Sequence, residues 1–172
     1  MKEISLHILD IAQNSIAAGA SLVDILIEES HSEDLLCITI RDNGKGMKEE
    51  LLSKVTDPFI TTRKSRRVGL GLSLFKASAE ACNGEFHIDS KLGEGTVVNA
   101  KYQYSHIDRP PMGDLAQTLV TLVACNPSLD FVCRYFVDNV SFTFSTYTIK
   151  EKLVDIPINH PNVIAWIQEY LN

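Results

Sequence analysis

Four cysteines are scattered along the 172 residues, at Cys37, Cys82, Cys125 and Cys133. No Cys-x-x-Cys pair and no zinc-like spacing links them, so they read as reduced thiols outside any metal site or disulfide. Positive charge is also short. Sixteen Lys and Arg against 22 Asp and Glu leave a net charge of -6 and a pI near 5.3. A chain so acidic lacks the electrostatic footprint of a nucleic-acid binder, and no nucleic-acid partner is expected. No stretch approaches the roughly 20 apolar residues of a transmembrane helix, and the first residues lack a signal peptide's long apolar core. A cytoplasmic protein without a membrane span is expected.

What is present points to a small ligand. Hydrophobic residues make up 45% of the chain, enough to bury a core in one domain with or without a small appendage. Eight of the sixteen cations, Arg41, Lys45, Lys48, Lys54, Arg63, Lys64, Arg66 and Arg67, crowd into residues 41–67. Local positive charge in an acidic chain suits a small anion.

In chain order, Ile4, Ile8, Ile11 and Ile16 with Leu9 and Ala12 recur at helical spacing, which predicts a helix over 3–18 stopped by Gly19. His7, Asp10 and Asn14 fall on another stripe, with Asp10 and Asn14 one turn apart. They form either one ligand face or the solvated side of an amphipathic helix. Residues 22–29 and 35–41 read as a hairpin. The second strand delivers Asp42 into Asp-Asn-Gly-Lys-Gly-Met47, where a carboxylate could accept adenine's amino group while Gly44 and Gly46 let backbone pass close to the base. A short helix over Lys48–Val55 follows, then the hydroxyl- and cation-rich loop Thr56–Lys64. Gly69-Leu-Gly-Leu-Ser73 opens a helix running to Ala81, a start whose backbone amides attract anions. Strands are expected over Glu85–Ser90 and Thr96–Tyr104 around a glycine-bearing loop.

The order Asp10…Asn14-Ser-Ile-Ala-Ala-Gly-Ala20, Asp42-Asn-Gly-Lys-Gly46, Pro58-Phe-Ile-Thr-Thr62, Gly69-Leu-Gly-Leu-Ser73 and Gly93-Glu-Gly-Thr96 resembles the Bergerat-fold (GHKL) ATP-binding superfamily. The Asn14 segment looks most like the MutL branch, and Phe59–Thr96 like the catalytic domain of histidine kinases. The resemblance covers about residues 4–104. It implies an α/β sandwich, a mixed sheet with helices on one face, holding ATP and Mg2+. It further implies that Asn14 ligates the magnesium, that Asp42 reads adenine with Gly44 and Gly46 as its turn, and that Thr96 assists. Gly69, Leu70, Gly71, Leu72 and Ser73 match the phosphate-binding helix start, and Thr61, Thr62, Arg63 and Lys64 the lid. Asp10 stands where hydrolysing members carry a glutamate base, the same acid on a shorter arm. The histidine kinases' phosphoacceptor helices are missing, and His7 lies too near Asn14 to be a mobile acceptor.

The expected division is residues 1–104 as the ATP-binding domain, 105–113 as a proline-stiffened linker and 114–172 as a small α+β extension, marginal alone and packed on the ATP domain or a partner. The extension reads as a helix over Leu115–Cys125, strands over Leu129–Val137 and Val140–Thr148, and helices near Ile149–Leu153 and Pro161–Leu171. No repeat, low-complexity tract or catalytic motif marks it. The function expected is an ATP·Mg-binding, histidine-kinase-like stand-alone protein that phosphorylates or regulates a protein partner through this extension in signal transduction. A conformational ATPase and a non-catalytic nucleotide sensor are the alternatives.

Overall fold

The computed structural model describes residues 2–57, 59 and 70–172. Six strands form one sheet: β1 (Leu22–Ser30), β2 (Leu35–Asp42), β3 (Glu85–Lys91), β4 (Gly95–Gln103), β5 (Asp130–Val137) and β6 (Val140–Ser145). Their order across the sheet is β3-β4-β2-β1-β5-β6. All neighbours are antiparallel except β1 and β5, which run parallel, so the sheet is mixed as expected. A parallel pair needs a crossover, and α4 (Leu115–Cys125) lies in that connection.

Alternation along the strands decides where the core sits. Val23, Ile25 and Ile27 of β1, Leu36, Ile38 and Ile40 of β2, Val98, Ala100 and Tyr102 of β4, and Phe131 and Cys133 of β5 are all buried. They share one face, because the register sets Ile25 opposite both Ile40 and Cys133, and Ile38 opposite Ala100. Helices α1 (Ile4–Ala17), α3 (Gly71–Glu80), α4 and α6 (Pro161–Leu171) supply the apolar partners Ile4, Ile8, Ile11, Phe75, Leu119, Val123 and Ile167. On the other face the pairs are polar: Arg134 bonds Asp24 at 2.7 Å and Asn99 bonds Thr39 at 2.8 Å. Helices on one face of a mixed sheet are thus the observed architecture. No described helix is long and apolar enough to cross a membrane.

Residues 114–172 do not stand apart from this sheet. Strand β5 pairs with β1 along its whole length, and β6 closes the edge. The proline-rich stretch is tied in as well, since Pro111 and Met112 offer their carbonyls to the amides of Ile4 and Ser5. Those are otherwise unsatisfied donors at the start of α1, so this stretch caps the helix.

Three elements have a boundary three residues from expectation. Strand β6 stops at Ser145 rather than Thr148, and α5 runs Thr146–Leu153. The Thr146 hydroxyl accepts from the Phe131 amide and donates to Asp130, which draws the chain back toward β5, while Ser145 caps the new helix on the Thr148 amide. Helix α2 is a single turn, Glu49–Leu52, inside the expected Lys48–Val55.

The His7 stripe also needs correction. His7 is only 1% exposed and stacks on Phe75 of α3, ring centroids 4.9 Å apart, so it joins the α1–α3 packing instead of facing solvent or a ligand. Among the described residues neither ring nitrogen has a hydrogen-bond partner. Burial holds its pKa down to about 4. The unfolded chain, with an ordinary imidazole near 6.5, therefore binds the extra proton between those values, and stability is lost as pH falls through that window. Acidification from neutrality to pH 4 should cost the fold at most about 3 kcal/mol through this one group. Urea unfolding at several pH values should show His7→Leu losing that much less stability on the acid side than the unaltered chain.

Candidate functional site

The site grows from the end of β2. Asp42 sits opposite Val23 on one side and Thr96 on the other, so its strand is flanked by β1 and β4 up to the last residue. Both carboxylate oxygens are held: Ser15 of α1 donates to Oδ2 at 2.6 Å, and the Gly44 amide to Oδ1 at 2.8 Å. The second contact is an Asx-type turn, which reverses the chain at once after the strand. Asn43 points the other way and accepts from the amides of Ser21 and Leu22, tying the turn to the start of β1.

The turn is then pressed against its neighbours. The Lys45 amide donates to Ala18 at the end of α1, and the Lys45 carbonyl accepts from Gly93 in the β3–β4 hairpin. Gly46 has φ +67, and a methyl group there would meet the Lys91 carbonyl oxygen at 2.0 Å. Gly95 has φ +116, and a methyl there would meet the Asp42 carbonyl oxygen at the same 2.0 Å. Only glycine allows either approach.

Between α1, this turn and the sheet lies a cavity of about 240 Å3. Its walls are mostly apolar, with Ile11, Met47, Leu72, Ile88 and Val98 among them, and Asn14, Ser15, Asp42, Lys45 and Thr96 as polar points. That is smaller than the roughly 300–1,000 Å3 that encloses a drug-sized ligand whole. It suits one flat ring with the rest of the ligand outside. Thr96 pairs its hydroxyl with Ser90 at 2.8 Å, and the Ser90 hydroxyl is tied to the Met47 amide and the Gly95 carbonyl.

At the end nearer α3, Asp10 meets Gly71. A methyl group at Gly71 would lie 3.4 Å from Asp10 Oδ2, so the carboxylate abuts the first turn of that helix, one turn before Asn14 on α1. Burial pushes the Asp10 carboxyl above its usual range. Leu72 reaches the cavity wall, Leu70 is partly exposed, and Ser73 caps locally by donating to the Leu70 carbonyl at 3.0 Å.

The structure thus brings Asn14, Asp42, Gly46, Leu72 and Thr96 to one cavity, with Gly44 in the Asp42 turn; Asp10 lies against Gly71, and Leu70 and Ser73 bond each other at the start of α3 outside the cavity lining. Thr61, Thr62, Arg63, Lys64 and Gly69 lie outside the described residues. Reading the sequence missed Ser15 and Ser90. Ser15 follows Asn14 directly, and a serine buried one turn after Ile11 was a signal; Ser90 needed the strand register, which sets it opposite Thr96.

Residues 2–105 match the family described as histidine kinase-, DNA gyrase B- and HSP90-like ATPase. Sporulation kinase A of Bacillus subtilis is 29% identical over 102 residues, 59% of this chain and 16% of that protein. Sporulation kinase E of the same organism is 32% identical over 99 residues, 58% of this chain and 13% of that protein. Among solved structures, the Aquifex aeolicus MutL ATPase domain complexed with ADP superposes with a TM-score of 0.57 at 15% identity, over 89% of this chain and 68% of that one. The N-terminal domain of a DNA repair protein also scores 0.57, at 12% identity, over 84% of this chain and 52% of that one. The chain spans less than a fifth of the length of the curated relatives it matches. The chain belongs to the histidine kinase-, gyrase B- and HSP90-like ATPase family, with an ATP-binding domain like the catalytic domain of histidine kinases.

The close backbone approach at Gly46 is open to direct measurement. Gly93, at φ +83 with nothing within 4 Å of an added methyl, is the internal control. Gly93→Ala should cost about 1–2 kcal/mol of left-handed strain. Gly46→Ala must also move the Lys91 carbonyl and should cost at least about 3 kcal/mol, read as a shift in the urea midpoint.

Proposed function

We propose that the cleft binds ATP·Mg, or ADP after turnover, with adenine in the 240 Å3 cavity against Asp42 and the phosphates running toward Asn14 and the start of α3. The observation that carries this reading is the Asp42 carboxylate, fixed by Ser15 and the Gly44 amide at the wall of a mostly apolar slot of ring size. A fixed acceptor there selects an exocyclic amino group. Thr96, Gly44 and Gly46 serve the same end of the nucleotide. The amides opening α3 at Leu70–Ser73 present the positive end of a ten-residue helix to the phosphates. Thr61, Thr62, Arg63, Lys64 and Gly69 are assigned to the lid side of the same phosphates.

Magnesium fits this donor set. It takes oxygen ligands and keeps several waters, so one amide oxygen from Asn14 beside the phosphates suffices. When bound it neutralises phosphate charge; the chain's own part is to place Asn14 at the cavity's edge. Asp10 is the general base. It lies against Gly71 and carries a carboxyl whose pKa burial raises, the direction that makes a stronger base. The protein acts in the cytoplasm as a histidine-kinase-like signalling protein that phosphorylates or regulates a protein partner, with residues 114–172 as the partner-recognising part.

Two measurements test this. By calorimetry ATP should bind and GTP should not, because guanine presents a carbonyl where Asp42 needs a donor, and Asp42→Asn should weaken ATP by about 1–3 kcal/mol. Equal affinity for the two nucleotides rules out the adenine assignment. Labelled ATP with cell lysate should yield labelled protein or free phosphate, with Asp10→Asn keeping ATP affinity and losing turnover by roughly 10²–10⁴-fold. Labelled protein indicates a kinase and free phosphate alone an ATPase. Turnover that appears only in Asp10→Glu indicates a nucleotide sensor whose shortened acid has lost the base's reach.

A further inference from the structure

The outer edge of β6 is the least defended surface of the sheet. At the opposite edge, β3 carries Glu85, His87, Asp89 and Lys91 on alternate positions, the charged side chains with which edge strands discourage pairing. Strand β6, Val-Ser-Phe-Thr-Phe-Ser, has no charge and no proline, and among the described residues no strand pairs with its outer side. Counting from the two-residue Asp138-Asn139 turn, which closes on the Val137–Val140 pair, Ser141 and Thr143 direct their N–H and C=O groups to that open edge, while the Ser145 carbonyl is taken by the first turn of α5. Beside it Phe142, Trp166 and Tyr170 form an aromatic row, with Phe142 5.6 Å from Tyr170 and Tyr170 5.3 Å from Trp166. The three rings are 41%, 50% and 48% exposed. They rim a groove of about 410 Å3 lined also by Phe144, Ile149, Lys152 and Leu153.

The strand is a palindrome about Thr143: Ser141-Phe142-Thr143-Phe144-Ser145 reads the same in both directions. Across a two-fold axis residue i meets j while j meets i, so a palindrome centred on the axis sets serine against serine and phenylalanine against phenylalanine. We propose that β6 pairs antiparallel with β6 of a second copy, on a two-fold axis through Thr143, joining two sheets into one of twelve strands. Phe142 then lies at the position across from Phe144 of the second copy; Phe144 is itself only 1% exposed, so the aromatic contact across the seam comes from the half-exposed Phe142, Trp166 and Tyr170. The Trp166 and Tyr170 rows of the two α6 helices meet above the seam. Because the strand itself is uncharged, two chains of net charge -6 can pair along it without like charges facing each other within the strand pair, with Lys152 standing in the groove beside it. The area sets the strength. At about 150–250 Å2 per ring, covering the exposed parts of these three buries roughly 200–350 Å2 per copy, and the strand edge adds to it. The ring contribution stays well under the roughly 800 Å2 per partner of a stable complex, so the dimer is a reversible one. This inference does not depend on the nucleotide reading.

Sedimentation over a wide concentration series should show a monomer–dimer equilibrium. Thr143→Lys sets like charges against each other on the axis and should weaken association at least tenfold, whereas His87→Lys on the opposite edge should leave it unchanged. The register is read by cross-linking in a Cys125→Ser background, since Cys125 is the exposed thiol. The axis brings residue 143 to about 5.5 Å from its own copy, within disulfide reach, and residue 141 opposite residue 145. Mild oxidation should therefore link Thr143→Cys to itself and leave Ser141→Cys unlinked. A chain that stays monomeric throughout, an association that Thr143→Lys does not touch, or cross-linking at 141 without 143 each overturns the proposal.

Discussion

The carboxylate of Asp42 is held from two directions, by a hydroxyl on α1 and by an amide of its own turn. The rest of the cleft depends on that double anchorage. The Ser15 bond fixes how far α1 stands from the end of β2, and so the width of the cavity between them. The Gly44 bond fixes the sharpness of the turn, which places Lys45 to reach α1 with its amide and the β3–β4 hairpin with its carbonyl. The two close approaches at Gly46 and Gly95 follow, because the turn and the hairpin loop lie on one another at backbone distance. A side chain at either place would separate them and open the slot.

A sheet covered on one face makes this geometry stiff. Strand β2 is central, hydrogen-bonded on both sides, so the residue that leaves its end starts from a fixed point. Helix α1 is clamped along its length. Its first amides are capped by Pro111 and Met112, its apolar stripe rests on the sheet, and its end accepts the Lys45 amide. His7, stacked on Phe75, locks α1 to α3, and the same packing sets Asp10 against Gly71. The polar stripe of α1 is therefore divided by depth, with a buried imidazole at one end and partly exposed Asp10 and Asn14 toward the cleft.

The later third of the chain reinforces this frame from the far side. By adding β5 parallel to β1 it makes β1 a central strand, and by carrying β6 it places one of the sheet's two edges two strands beyond β1. The free edge, the aromatic row of α6 and the groove between α5 and α6 all belong to residues after 139. The cleft at the end of β2 and the outer strand β6 are thus separated by β1 and β5 within one continuous sheet.

Periodicity and glycine placement were legible in the sequence because they are local. The isoleucine stripe of α1, the hairpin of β1 and β2, the Asp42 turn and the helix opening near Gly71 all follow from spacing within a dozen residues, and the ordered motifs carried the family. Contacts between distant segments were not legible. That Ser15 anchors Asp42 and that His7 is buried on Phe75 depend on helix docking over separations of 27 and 68 residues, whereas the Ser90–Thr96 pair is local and waited only on the hairpin's register. The fate of residues 105–172 was equally hidden. Nothing local in Pro110-Pro111-Met112 states that its carbonyls cap α1, and a strand such as β5 has no intrinsic partner until the edge of β1 is offered to it. Local sequence decided which elements form. Backbone hydrogen bonding between strands and the burial of one shared face decided which of them meet, and so where the cleft lies.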